Sequence, residues 1–154
     1  MNIFIPKIIV KETAYTKLLK HIYDTDFQYE TGGILLGYSC LQIFYVTAFT
    51  FPRHSKNATK MTFILNGEEH MEEMEKVRKK FRFPPKLIGV WHSHTTDDSS
   101  LSFQDKESNE VLVSQFGEIL SFIITQKGVD GIQLTAYYIS RKRTIHLCKC
   151  KYNK

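Results

Sequence analysis

The run Leu87-Ile88-Gly89-Val90-Trp91 constrains this chain more than any other stretch of its 154 residues. It is apolar nearly throughout, without the polar alternation of a half-exposed strand, as expected of a strand buried on both faces. It runs directly into His92-Ser93-His94, so the end of a central strand carries two histidines.

Other strands and helices are legible around it. Residues 2–10 alternate loosely and read as a first strand. Thr13 is placed to cap a helix whose apolar face is Ala14, Leu18 and Ile22, ended by Asp24-Thr25-Asp26. Gly32 to Gly37 reads as a short apolar strand, and Leu41 to Phe51 as a second, rich in β-branched and aromatic residues. Arg53 to Lys60 is polar and reads as a loop, with a short strand at Phe63-Ile64-Leu65. Over 67–81 a helix is expected, with Met71, Met74, Val77 and Phe81 on one face and Glu72–Lys76 and Glu75–Lys79 pairs. Pro84-Pro85 stops it. After the polar loop Thr95–Ser100, Ser102 begins a helix reaching about Gln115. Residues 118–125, 131–139 and 143–151 read as three further strands. This order predicts one α/β domain over 1–154, a mixed sheet with helices packed on it.

The length is ordinary for one domain. The amino terminus lacks the basic and apolar segments of a signal peptide, and no apolar run approaches the roughly 20 residues of a membrane span. Three cysteines, Cys40, Cys148 and Cys150, without a secretory signal point to reduced thiols and a cytoplasmic location. The formal net charge is +5. Apart from Arg78-Lys79-Lys80, Arg141-Lys142-Arg143 and the lysine-rich carboxyl terminus the cations are scattered. That fits a solvated surface, and nucleic acid is not expected as a partner.

In an extended segment residues i and i+2 point the same way, with Cα atoms ~6.6 Å apart. Two imidazoles at that spacing can converge on one ion at Zn–N distances of about 2.0–2.1 Å. Asp105, in the first turn of the helix beginning near Ser102, would supply a third ligand. Three ligands leave a zinc position open for water, whose pKa then falls toward about 7. Such a water needs a base, and Glu30 is the candidate. Each part has a simpler reading. His-x-His on a strand is often structural, Ser102-x-x-Asp105 also fits a helix capping box, and Glu30 fits a solvated loop acid. Asp97 and Asp98 read as solvated rather than as rival ligands. His146, Cys148 and Cys150 would span ~13 Å on one straight strand, too far for one tetrahedral ion; they read as packing or surface groups.

Taken together, Glu30…His92-Ser93-His94-x7-Ser102-x2-Asp105 resembles the JAMM (JAB1/MPN+) metalloproteases. The segments Glu30–Gly37 and Ile88–His94 are similar to the prokaryotic JAB branch. The resemblance covers nearly the whole chain. It implies an MPN fold, related to cytidine deaminases, with a curved mixed β-sheet flanked by helices. It implies one Zn2+ held by His92, His94 and Asp105, Glu30 as acid and base, and Ser102 as the donor to the oxyanion. The chain departs from the family at Thr95 and Leu101, where relatives often have proline.

The resemblance further implies a hydrolase cutting the amide or isopeptide bond after the tail of a ubiquitin-like protein. It would serve deconjugation or precursor trimming beside E1- and E2-like proteins, including in antiphage defence operons. Related proteins process ubiquitin-fold sulfur carriers in sulfur metabolism. A non-enzymatic reading, an MPN scaffold or a nucleic-acid-associated RadC-like protein, is weakened because scaffolds typically lack the ligands present here. Arg53–Leu65 is suggested as a substrate-facing flap.

Overall fold

The computed structural model describes residues 4–52, 68–129 and 131–153. In chain order the elements are β1 (Lys7–Lys11), α1 (Glu12–Thr25), β2 (Gly32–Cys40), β3 (Ile43–Phe49), α2 (Glu68–Arg78), β4 (Lys86–Ser93), α3 (Phe103–Phe116), β5 (Ile119–Lys127), β6 (Gly131–Ile139), β7 (Ile145–Cys148) and β8 (Cys150–Asn153). The expected loop Arg53–Lys60, strand Phe63–Leu65 and flap Arg53–Leu65 lie outside the described residues.

The eight strands form one mixed sheet in the order β7-β6-β5-β4-β2-β3-β1-β8. β4 runs parallel to β5 and antiparallel to β2. It is central and covered on both faces, as its apolar run predicts. One side of the sheet packs on α1 through Ile8, Val10, Leu18, Ile22, Trp91 and Phe122. On the other side, Ile34, Leu36 and Val90 pack with Met74 of α2 and with Leu112 and Val113 of α3.

The sheet curls far enough nearly to close. Phe44 of β3 and Tyr138 of β6 are separated by three strands in sheet order, yet their ring centroids are 5.9 Å apart. The expected single strand over 143–151 is in fact two. β7 pairs with β6 at one edge of the sheet, and β8 pairs with β1 at the other. The chain changes edge at Lys149 because both edges present unpaired backbone groups and one extended tail satisfies part of each. The open saddle typical of MPN sheets is not closed in this way.

Other boundaries also move. α1 starts at Glu12 with Lys11 as a cap that makes no side-chain hydrogen bond, so Thr13 is not the cap. β1 feeds the helix with no loop between them. Ala14, Leu18 and Ile22 are its buried face, as expected. β2 extends to Cys40, and β3 begins only at Ile43. Leu41 and Gln42, both with positive φ, form the two-residue hairpin turn whose twist matches paired strands.

The buried face of α2 is His70 and Met74, and Met71 is exposed. His70 is tolerated inside because its Nδ1 lies 3.2 Å from Thr50 Oγ1. Lys76 pairs with Glu73, and Arg78 with Glu75, at i, i+3 spacing. None of the helices among the described residues is long and apolar enough to cross a membrane.

The cysteines are thiols, as expected. Cys40 is exposed, and Cys148 and Cys150 pack against the core. Burial, with the neighbouring Cys148 adding to it, pushes the Cys150 thiol up to about 12. Without a metal beside it, the thiol is therefore protonated at neutral pH.

Candidate metal centre

The site is built at the carboxyl end of β4. His92 lies opposite Gly32 of β2 and beside Ile123 of β5. The ladder continues past the end of the strand, with His94 N–H donating to Ile124 O at 2.9 Å. His92 and His94 therefore share a face, and their Nε2 atoms are 2.9 Å apart.

α3 brings the third group. Ser102 is its cap: Ser102 Oγ accepts from Asp105 N–H at 3.1 Å, and Ser102 N–H donates to Asp105 Oδ2 at 2.7 Å. This capping box fixes the Asp105 carboxylate. Its Oδ1 stands 3.3 Å from His92 Nε2, and its Oδ2 stands 3.6 Å from His94 Nε2. The capping reading and the ligand reading of Asp105 are thus compatible: the cap holds Oδ2, which also lies near His94, and turns Oδ1 to His92.

Tetrahedral ligands about 2.0–2.1 Å from a shared zinc stand about 3.3 Å from each other. The 2.9 Å between the two Nε2 atoms and the 3.3 Å from His92 Nε2 to Asp105 Oδ1 lie near that value, and one ligand atom from each of the three residues falls within 4.8 Å of the others. His92 and Asp105 are each 3% exposed. His94 Nδ1 faces Asp98 O at 2.6 Å. Donating there leaves a lone pair on Nε2, the tautomer a metal requires. The buried cluster is compatible with a zinc-binding site and with a metal-dependent catalytic centre.

Electrostatics agree. Burial alone would raise the Asp105 carboxyl, but hydrogen bonds from His92 and His94 outweigh it and hold the group well below the usual carboxylate range. His94 is raised, first by its hydrogen bond with Asp105 and, among lesser causes, by the charge of Glu30.

These shifts set a window for the metal-free protein. The His94 contribution to stability is complete below about pH 6.5 and is lost as pH rises through the higher folded value. The Asp105 contribution is complete above about pH 3.9 and is lost only in strong acid. The melting temperature of the zinc-free protein should therefore fall between pH 6 and pH 8.5. Added zinc should stabilise more at the upper pH, because protons no longer compete for the imidazoles. Paired thermal melts with and without chelator check both arms.

Glu30 comes close through β2. Gly32 pairs with His92, and Ser93 N–H donates to Thr31 O at 2.8 Å. Glu30 is the residue before that junction, and its charge reaches His94. Ser102 is exposed beside Asp105, and its cap role uses an oxygen lone pair, leaving the hydroxyl proton to give. Asp97 is exposed, and the Asp98 carboxylate accepts from Ser100 N–H and Oγ–H. Neither joins the cluster, as expected.

The loop after His94 is organised without proline at 95 or 101. Asp98 forms its turn, Tyr137 Oη donates to Ser99 O at 2.8 Å, and Leu101 is buried. Between the two histidines, Ser93 Oγ accepts from Thr31 N–H at 3.0 Å and ties β4 to the Glu30 segment. The Ser-Thr pair lies 62 residues apart in sequence, and no local pattern signals it.

No family model matches the chain, and no curated protein matches it by sequence. Among solved structures it is similar to the solution structure of protein DSY2949 from Desulfitobacterium hafniense, with a TM-score of 0.69 and 16% identity over 96% of this chain and 93% of that one. At that identity the likeness speaks for the fold.

Proposed function

We propose that the protein is a JAMM-type zinc peptidase with an MPN-related fold. It cleaves the amide or isopeptide bond after the carboxyl-terminal tail of a ubiquitin-like protein, as a free precursor or as a conjugate. The observation that carries this reading is the convergence of His92, His94 and the Asp105 carboxylate in one buried cluster. The motif Glu30…His92-x-His94-x7-Ser102-x2-Asp105 supports the same class. E1- and E2-like proteins are the partners this reading favours.

Zinc at this site would supply a Lewis acid and an acidified water. The residues do the rest. His92, His94 and Asp105 would hold the ion. Glu30 takes the proton from the attacking water and delivers it to the leaving amine. Ser102 donates its hydroxyl proton to the oxyanion of the tetrahedral intermediate, a contact of the kind worth about 2.7–4 kcal/mol in other enzymes.

The test uses a panel of fusions in which a reporter follows the tail of a ubiquitin-like protein or of a sulfur carrier. Cleavage at the tail, abolished by chelation and restored by zinc, is expected. Glu30→Gln should keep zinc and fold but lose about 10²–10⁴-fold in kcat. Full activity in that variant contradicts the role given to Glu30, and cleavage of the sulfur-carrier adduct alone redirects the substrate.

A further inference from the structure

Glu30 lies outside the strand ladder, one residue before the junction that ties β2 to β4. What fixes that junction is Thr31. Its backbone is clamped to Ser93 twice, through Thr31 N–H to Ser93 Oγ at 3.0 Å and Ser93 N–H to Thr31 O at 2.8 Å. Its side chain is clamped once: Thr31 Oγ1 lies 2.9 Å from His21 Nε2. Thr31 is buried, and β-branching leaves it few rotamers, so the hydroxyl and the backbone move together.

His21 is itself held. Its ring sits 4.9 Å from that of Phe51 and edge-on to Trp91 at 5.7 Å. Burial lowers its pKa, against a smaller opposing effect of Asp24. A neutral imidazole offers one N–H and one lone pair, and either serves the Thr31 hydroxyl. α1 does not need this bond in order to dock, because Leu18 and Ile22 on the same helix are fully buried in the core. A polar ring wedged between two aromatic side chains is therefore better explained by what it holds than by the packing it provides.

We propose that His21 is a positioning residue: through Thr31 it sets where the Glu30 carboxylate stands relative to His92 and His94. The proposal rests on the reading of Glu30 as the group that carries the proton. It adds a side chain from α1, remote from the metal ligands in sequence, to the apparatus of the site.

The test uses the full chain loaded with cobalt(II) in place of zinc, reading the visible absorption of the site across pH. Glu30→Gln should shift the midpoint of the spectral transition by about 0.5–1 pH unit, a three- to tenfold change in proton affinity. His21→Phe, which keeps a ring but removes the hydrogen bond, should shift it in the same direction with cobalt stoichiometry unchanged. Thr31→Val removes the same bond from the other end and should reproduce the shift even where His21→Phe folds poorly. His21→Gln, which can still reach the hydroxyl, should restore the wild-type midpoint. A wild-type midpoint in both His21→Phe and Thr31→Val, with Glu30→Gln shifted, overturns the role of His21 alone. A wild-type midpoint in Glu30→Gln overturns the reading of Glu30 and this proposal with it. Loss of cobalt in His21→Phe and Thr31→Val, or failure of His21→Gln to restore the midpoint, shows a structural role and also overturns it.

Discussion

Replacing Asp105 by asparagine should strip zinc from the protein and reduce hydrolysis to background while leaving α3 in place. Asp105 has two jobs on two oxygens. One oxygen accepts from Ser102 N–H at the helix start, and the other faces His92 Nε2. An asparagine carbonyl oxygen can still accept at the cap, but it carries no charge to balance the metal. Losing a partner that only supports a metal ligand commonly costs 10–100-fold in affinity, and losing the ligand itself should cost more than about 100-fold. Asp105→Ala should match it in metal and activity and also lose about 0.5–2 kcal/mol of stability with the cap. Metal analysis, the fusion assay and denaturant melts on the two variants separate the jobs. Equal stability of the two would mean that the cap contributes little. Retention of stoichiometric zinc by both would mean that Asp105 is not a ligand.

Gly33→Ala should cost more stability than any change at the metal ligands, about 4 kcal/mol or more, in the range reserved for severe core disruption. A Cβ at Gly33 would fall 2.1 Å from Thr50 O and 2.8 Å from Trp91 Nε1. Neither atom can retreat. Thr50 O accepts the Trp91 indole N–H at 3.0 Å, Thr50 Oγ1 accepts from Ile34 N–H at 2.8 Å, and Trp91 is fully buried. Relief would push β2 away from the Thr50 segment that follows β3 and from the Trp91 ring of β4; β2 and β4 carry the Glu30 segment and His92. The variant should unfold at markedly lower denaturant and, where still folded, bind zinc weakly. Wild-type stability would show that the two strands are not packed through this glycine.

How much of this was legible depends on the range over which each signal acts. The uninterrupted apolar run of β4 announced a central strand, and the histidines at its end announced the fork. Ser102 and Asp105 were legible as a cap, and the same three-residue spacing brings Asp105 into the cluster that could hold a metal. The division of the last strand at Lys149 was not legible. No glycine or proline marks it, and its cause is the presence of two open edges far away in sequence. The face of α2 is not legible because a buried histidine breaks the apolar period: Met71 looks like core, whereas His70 is core by virtue of Thr50. His21, Thr31 and Ser93 gave no signal for the same reason, since each gains its meaning from a partner on another element.

The central claim is the ligand set, and X-ray absorption at the zinc edge of the loaded protein tests it most directly. The account predicts one zinc per chain with nitrogen and oxygen neighbours at about 2.0–2.2 Å, including the multiple-scattering signature of two imidazoles, and no sulfur. Sulfur scattering at about 2.3 Å would place the ion on Cys148 or Cys150 instead and contradict it.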